Sequence, residues 1–398
     1  MEKTKPFENV APSLQLVVQQ FQQRYDGPCR VFRAPGRVNL IGEHTDYNDG
    51  FVMPAALDSY TYVAAGVRLD HKISVHSVDF EETVDVDLES VAPGPTGHWS
   101  DYPRGVAALL FARRAISAGA NLVIKGEVPI GAGLSSSAAI EVATAVSLLA
   151  IAGTDLGRRE IASICQRAEH EFAGTKCGIM DQFVSAFGQA NHALFLDCRS
   201  LGFDTLPLPS GVRIVICNSM VKHELAGGEY NLRRADCEAG VRLLQRHLPD
   251  IRALRDVNEA QLQRFSAEIP ERIYRRCRHV ISENARTLEA AAALRSGDLS
   301  RFGELMFASH DGLRDDYEVS CPELDLLVEL ARGGEGVFGA RMTGGGFGGC
   351  TVNLVKAEAV GQFQTRLSQG YQTATGIQPA IYVCAASDGA GEVDVHPA

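Results

Sequence analysis

Three short segments carry residue types able to do chemistry, and glycine or proline interrupts each of them. The first, Pro129-Ile-Gly-Ala-Gly-Leu-Ser-Ser-Ser-Ala-Ala139, sets two glycines and three consecutive hydroxyls before an apolar helical run at 140–152. Glycine permits positive φ and a close backbone approach to a ligand. The serines can cap the helix, whose free N–H groups and positive dipole end attract an anion. Together these suit a phosphate. No lysine follows the glycines, so this is not a Gly-x-x-x-x-Gly-Lys-Ser/Thr loop, and its positive charge has to come from elsewhere, for instance a bound metal. Alone, the same residues also describe a serine-capped helix that binds nothing.

The second segment, Ala34-Pro-Gly-Arg-Val-Asn-Leu-Ile-Gly-Glu-His-Thr-Asp-Tyr-Asn-Asp-Gly50, gathers Arg37, Glu43, His44 and Asp46. Carboxylates and an imidazole in one loop suit a polyhydroxylated ligand, whose hydroxyls need directed partners. A permanently charged arginine suits a phosphoryl group or a neighbouring carboxylate. The third segment places Glu169 and Asp181 in Ala168-Glu-His-Glu-Phe-Ala-Gly-Thr-Lys-Cys-Gly-Ile-Met-Asp-Gln182. Phosphoryl transfer to a hydroxyl needs a metal ligand and a carboxylate that orients or deprotonates the acceptor. Glu169 and Asp181 could fill those roles, although ordinary ion pairs would account for either segment alone.

The elements that must position these segments follow from periodicity and turn signals. Helices are predicted at 11–25, 101–118, 140–152, 158–172 and 357–370, with three more between 230 and 330. Strands are predicted at 30–33, 60–67, 73–78, 83–86, 121–127, 193–197, 212–217, 337–342, 351–355 and 380–384, and a turn at 174–182. Strands mix with helices without strict alternation, which favours an α+β fold. A proline-rich stretch at 205–211 marks the candidate domain boundary, and 398 residues exceed a usual single core.

Composition narrows the function classes. A net charge of −11 argues against nucleic-acid or anionic-membrane partners. Ten cysteines with no Cys-x-x-Cys pair suggest reduced, mostly buried thiols and a cytoplasmic setting. The opening Met-Glu-Lys-Thr-Lys-Pro holds no apolar signal segment. The run Gly344-Gly-Gly-Phe-Gly-Gly349 contains a formal Gly-x-Gly-x-x-Gly, but a strand-like sequence follows it where a dinucleotide site needs a helix. It is read as a loop between strands whose backbone approaches something closely. Trp99, the only tryptophan, could stack on adenine or simply pack. His170 and His223 read as structural or surface histidines.

Segments 36–50 and 131–139, with Arg341-Met-Thr-Gly-Gly-Gly-Phe-Gly-Gly-Cys350, resemble in order and spacing the three motifs of the GHMP small-molecule kinases. Gly-Arg-Val-Asn-Leu-Ile-Gly-Glu-His-Thr-Asp-Tyr narrows the resemblance to the galactose-phosphorylating branch. Lys176-Cys-Gly-Ile-Met-Asp-Gln182 and Gly228-Glu-Tyr-Asn-Leu-Arg-Arg234 fit the same branch.

The resemblance implies a two-domain α+β fold with the active site in the cleft. Residues 1–208 would carry the sugar and phosphate loops, and 209–398 the glycine-rich loop 344–349. Glu43, His44, Thr45, Asp46, Gly178 and Tyr230 would bind the sugar. Asp181 would act as base or orienting group, and Arg37 would stabilise it and the developing charge. Gly131, Ala132, Gly133, Leu134, Ser135, Ser136 and Ser137 would wrap the ATP phosphates, with Ser137 and Glu169 holding Mg²⁺. The implied reaction is transfer from ATP to the anomeric hydroxyl of galactose, giving galactose 1-phosphate and ADP in the Leloir pathway of galactose metabolism. A kinase for N-acetylgalactosamine and a catalytically silent sugar sensor are the competing readings. The intact serine loop and Asp181 argue against the sensor. A monomer is expected, with a dimer left open.

Overall fold

Apolar side chains on one face of the first helix, α1 (Pro12–Arg24), set the start of the fold: Leu14, Val17, Val18 and Phe21 are buried. They pack on strand residues Val31, Tyr62, Ala64 and Val123. The computed structural model describes residues 11–222 and 226–394. After α1 come β1 (Arg30–Asn39), β2 (Phe51–Val52), β3 (Pro54–Val67), β4 (Lys72–Ser77), β5 (Glu82–Asp87), α2 (Asp101–Ala112) and β6 (Ala120–Gly126). The serine loop then opens α3 (Ser136–Ala152), followed by α4 (Arg158–Ala168), α5 (Met180–Phe187), β7 (His192–Asp197) and β8 (Phe203–Pro207).

The second half runs β9 (Val212–Lys222), α6 (Ala226–Leu244), α7 (Glu259–Arg264), α8 (Glu271–Ser296), α9 (Leu299–Gly312) and α10 (Pro322–Ala331). It ends with β10 (Val337–Thr343), β11 (Gly348–Lys356), α11 (Val360–Thr375), β12 (Ala380–Cys384) and β13 (Gly391–Val393). The described strands form three sheets, ordered β13-β1-β3-β6-β4-β5, β10-β11-β9-β12 and β2-β7-β8. This mixture of largely antiparallel sheets and helices is the expected α+β class.

α3 is the element on which the site is built. Its alanine-rich sequence favours helix, and Ala138, Ala139, Val142, Ala143, Ala145, Leu148 and Leu149 are buried. Each such Val or Leu contributes on the order of 1.5–3 kcal/mol by leaving water. Gly153 ends the helix in the left-handed conformation.

Several elements differ from expectation for local reasons. The helix expected over 101–118 stops at Ala112, where Arg114 takes a positive φ and turns the chain away. The helix expected to reach 172 loosens at Ala168 into a wider, π-type turn over Glu169–Ala173. The turn expected over 174–182 ends early, so Asp181 lies in the first turn of α5. Five helices lie among the described residues between 226 and 331 where three were expected. The strands β2, β8 and β13 were not foreseen; β8 runs into the stretch read as a linker.

The expected division at 208/209 is not a clean cut. β13 pairs with β1, and Leu57 bridges Ala386, so the chain end returns to the first sheet. One apolar cluster also joins Val38, Leu40 and Ile41 to Ile214, Ile216, Phe302 and Met306. Among the described residues no helix is long and apolar enough to cross a membrane.

Candidate active site

The serine loop leaves β6 and is bent by positive φ at Gly131 (71°), Gly133 (77°) and Ser135 (59°). Its backbone is docked on β1: the Arg37 N–H donates to the Leu134 carbonyl at 3.0 Å and the Arg37 guanidinium to the Gly133 carbonyl at 2.7 Å. Gly131, Gly133, Ser135, Ser136 and Ser137 line a cavity of about 430 Å³. Ala132 and Leu134 do not; their side chains are buried in the core, so only their backbone is available to a ligand. The serines do not cap α3 as expected. Ser135 stands at the N-cap, yet its hydroxyl donates to Asp181 at 2.5 Å. The carboxylate draws the hydroxyl away, and the first N–H groups of α3 have no side-chain cap.

Arg37 and Asp181, 144 residues apart, form a two-point pair at 2.8 and 2.9 Å. Arg37 is almost fully buried while the Asp181 side chain keeps 21% exposure, toward the cavity that both line. Such a paired geometry fixes orientation as well as charge. Glu169 lies in the π-type turn, a local widening often found at functional sites. It is hydrogen-bonded by Ser137 and receives the Gln182 amide at 2.6 Å and the Cys177 thiol at 3.5 Å. Burial, reinforced by the charge of Asp181, pushes its carboxyl up to about 7.

The sugar-loop residues are held from the second half of the chain. Glu43 accepts from Arg341 at 3.0 Å and from the Gly344 N–H at 3.1 Å. Glu283 of α8, buried, accepts from the Gly42 and Glu43 N–H groups at 2.9 and 3.2 Å. The charges of Arg286, His279 and Arg341 outweigh its burial and hold its carboxyl at about 2. His44 adopts φ 63°; its Nδ1 pairs with the Tyr47 hydroxyl at 2.8 Å and its buried Nε2 has no hydrogen-bond partner among the described residues. Burial holds this imidazole well below its ordinary range, hence neutral. Tyr230 closes over it at 5.5 Å between ring centroids. Burial, and secondly the charge of Asp181, raise Asp46 to about 7.

Two expected sugar ligands sit differently. The Thr45 hydroxyl donates to the carbonyls of Gly42 and Phe51, and the side chain is fully buried. It shapes the loop and does not reach the cavity. Gly178 lines a second hollow on the other side of Asp46. A Cβ there would fall 1.9 Å from Asp46 Oδ2, so the glycine backs the carboxylate instead of facing the cavity. Gly178→Ala is therefore expected to displace Asp46 and weaken sugar binding at least tenfold, roughly 1.4 kcal/mol, as read by calorimetric titration; unchanged affinity would free Asp46 from that constraint.

The glycine run is the expected loop between strands, joining β10 to β11. Gly344 meets the serine loop backbone to backbone: a Cβ would lie 2.8 Å from the Gly133 carbonyl. Opposite the polar groups the cavity is apolar, lined by Phe80, Trp99, Ile124, Val128, Ile130 and Ile140. Trp99 stacks on Phe80 at 5.7 Å, and its indole N–H donates to Glu82. His170 is structural, its Nε2 at 2.7 Å from the Cys177 carbonyl; His223 lies outside the described residues.

An oxygen-donor set of one carboxylate and one hydroxyl, Glu169 and Ser137, fits Mg²⁺, which takes one or two carboxylates and completes its shell with phosphate oxygens and water. No group of three His, Cys, Asp or Glu among the described residues could hold a metal unaided. The cavity thus joins a polar pocket, a helix N-terminus without a side-chain cap and an apolar slot.

Residues 19–67 match the galactokinase galactose-binding signature, 101–189 the GHMP kinases N terminal domain and 290–373 the GHMP kinases C terminal. The chain is 51% identical to the galactokinase of Chloroflexus aggregans, over 92% of this chain and 95% of that one. It is 49% identical to the galactokinase of Roseiflexus sp., over 94% and 96%. The fold superposes on Lactococcus lactis galactokinase complexed with galactose with a TM-score of 0.92, at 36% identity and covering 96% and 100% of the two chains. Mevalonate kinase of Methanococcus jannaschii, 18% identical with a TM-score of 0.65 over 92% and 100%, shares the fold. The chain belongs to the galactokinase family of GHMP kinases.

Proposed function

We propose that this protein transfers the terminal phosphoryl group of ATP to the anomeric hydroxyl of galactose. The observation that carries the reading is the Arg37–Asp181–Ser135 cluster, set where the sugar loop meets the serine loop. In this reading Asp181 receives the acceptor hydroxyl as a hydrogen-bond donor, orients it and takes its proton as the new P–O bond forms. Arg37 holds that carboxylate and, lining the same cavity, would offset charge on the phosphoryl oxygens. Glu43, His44, Asp46 and Tyr230 present acceptors and donors to the remaining hydroxyls.

The phosphates would lie against the N–H groups of Gly131–Ser137 and the uncapped end of α3, and the adenine against the Trp99–Phe80 side. Ser137 and Glu169 would hold Mg²⁺, which supplies the positive charge that the loop lacks in having no lysine. Positioning carries the rest, since phosphoryl transfer asks little covalent chemistry of a protein. All ten cysteines stand unpaired, which supports a reducing, cytoplasmic setting. ADP release measured with ATP and Mg²⁺ across hexoses and amino sugars tests the reading. Galactose should dominate. Preference for N-acetylgalactosamine would change the substrate, and no turnover with any sugar would make the protein a sensor.

Asp46 also implies a pH dependence. With its carboxyl near 7, the group is protonated on the acid side and loses its strength as an acceptor. Galactose affinity should therefore fall as pH drops from about 8 to about 6, and Asp46→Asn should flatten that dependence. An equally steep profile in Asp46→Asn would assign the effect to another group.

A further inference from the structure

Behind Glu169 lies a buried acid that the proposed chemistry does not use. Glu141 sits four residues after Ser137 on α3, so both project from one face of the helix. Its side chain is fully buried, and no cation among the described residues pairs with it. Among the described residues, Oε2 accepts one hydrogen bond, from the Gln182 amide at 3.0 Å, and Oε1 has no partner. The same Gln182 nitrogen donates its other hydrogen to Glu169 Oε2 at 2.6 Å. Gln182 thus spans two carboxyls, one on α3 and one in the π-type turn, while lying next to Asp181. Burial raises Glu141 well above the carboxylate range, and the charge of Glu169 raises it further.

A buried carboxyl with half of its hydrogen-bonding capacity unused is an expensive way to fill a helix face that alanine and valine occupy elsewhere. Its one observed contact gives it work: it anchors the far side of the amide that orients Glu169. We propose that Glu141 is a positioning residue for Glu169, acting through Gln182 to fix the rotamer in which Glu169 serves a divalent cation on the nucleotide phosphates. The proposal rests on the assignment of Glu169 to that cation. By engaging Oε2, the Glu141–Gln182 pair leaves the other oxygen of Glu169 free of the amide. Outer partners of this kind set how tightly a ligand side chain holds its ion.

The test is the Mg²⁺ dependence of ADP binding, followed by calorimetry and by fluorescence of Trp99, the only tryptophan and one that lines the cavity. In Glu141→Leu the Mg²⁺ needed for half-maximal tight binding should rise about tenfold, while galactose affinity and metal-free ADP binding stay within about twofold. Glu141→Gln keeps a carbonyl that accepts from Gln182 and should restore most of the loss. Gln182→Met breaks the same link from the other end and should match Glu141→Leu. It also decides the matter if Glu141→Leu does not fold. An unchanged Mg²⁺ requirement in both Glu141→Leu and Gln182→Met overturns the proposal, as does an equal loss with and without Mg²⁺. ADP binding by the parent protein that ignores Mg²⁺ would instead remove the cation role of Glu169 itself.

Discussion

Asp181→Asn is expected to lower turnover at least about a thousandfold while galactose still binds. The carboxylate accepts three hydrogen bonds, two from Arg37 and one from Ser135. An amide offers one acceptor oxygen and turns an N–H₂ group toward the guanidinium or the hydroxyl. In the proposed role, the acceptor hydroxyl of the sugar then loses the group that aligns it and takes its proton. The proposed galactose contacts from Glu43, His44 and Asp46 would come from a separate loop and should persist. Asp181→Ala goes further by leaving the buried Arg37 without a counter-charge, so it should also lose stability. Single-turnover kinetics, with galactose binding measured in parallel, separate the two effects. Turnover within about tenfold of the parent would remove Asp181 from the reacting centre.

What could be read from the chain divides by the range of the physics involved. The loops at 36–50, 131–139 and 344–349 are local clusters, so their glycines and polar residues stand together in the sequence. The backbone approach expected of the glycine run is the Gly344–Gly133 contact. Pairings across the fold have no such signal. Arg37 and Asp181 were joined by family resemblance, and nothing local foretells that Ser135 bonds to Asp181 instead of capping α3. Thr45 shows the converse limit: within a polar loop nothing marks its hydroxyl as one that two backbone carbonyls claim. β13 is three residues long and its partner β1 lies some 360 residues away, so neither periodicity nor turn chemistry marks it. The π-type turn at Glu169–Ala173 continues helical periodicity with one extra residue per turn, which reads as plain helix.

Arg341 shows the same limit at larger energetic scale. It lies in the third motif, yet its task is to tie the two halves of the chain together around the sugar loop. It is the largest fully buried side chain among the described residues. It donates to the Asn39 carbonyl at 2.6 Å, to Ser309 at 3.1 Å and to Glu43 at 3.0 Å. Ser309 in turn donates to Glu283, which holds the backbone of Gly42 and Glu43. Burial raises the Glu43 carboxyl, and Arg341 is the first charge opposing that rise. Arg341→Met fills similar volume but leaves Glu43 without its counter-charge and the Asn39 carbonyl with the weaker 3.4 Å bond from Thr343. Breaking a buried pair from one side costs about 3–5 kcal/mol, which lowers the thermal midpoint by roughly five degrees in a protein of 398 residues. Galactose affinity should fall with it, because the loop that carries Glu43, His44 and Asp46 loses its clamp. Adding Glu43→Gln to Arg341→Met removes the stranded charge and should recover part of the stability but not the sugar binding. Thermal unfolding and calorimetric titration of the two single variants and the double variant read both effects. Losses of stability that simply add in the double variant would mean that Arg341 and Glu43 do not act as a pair.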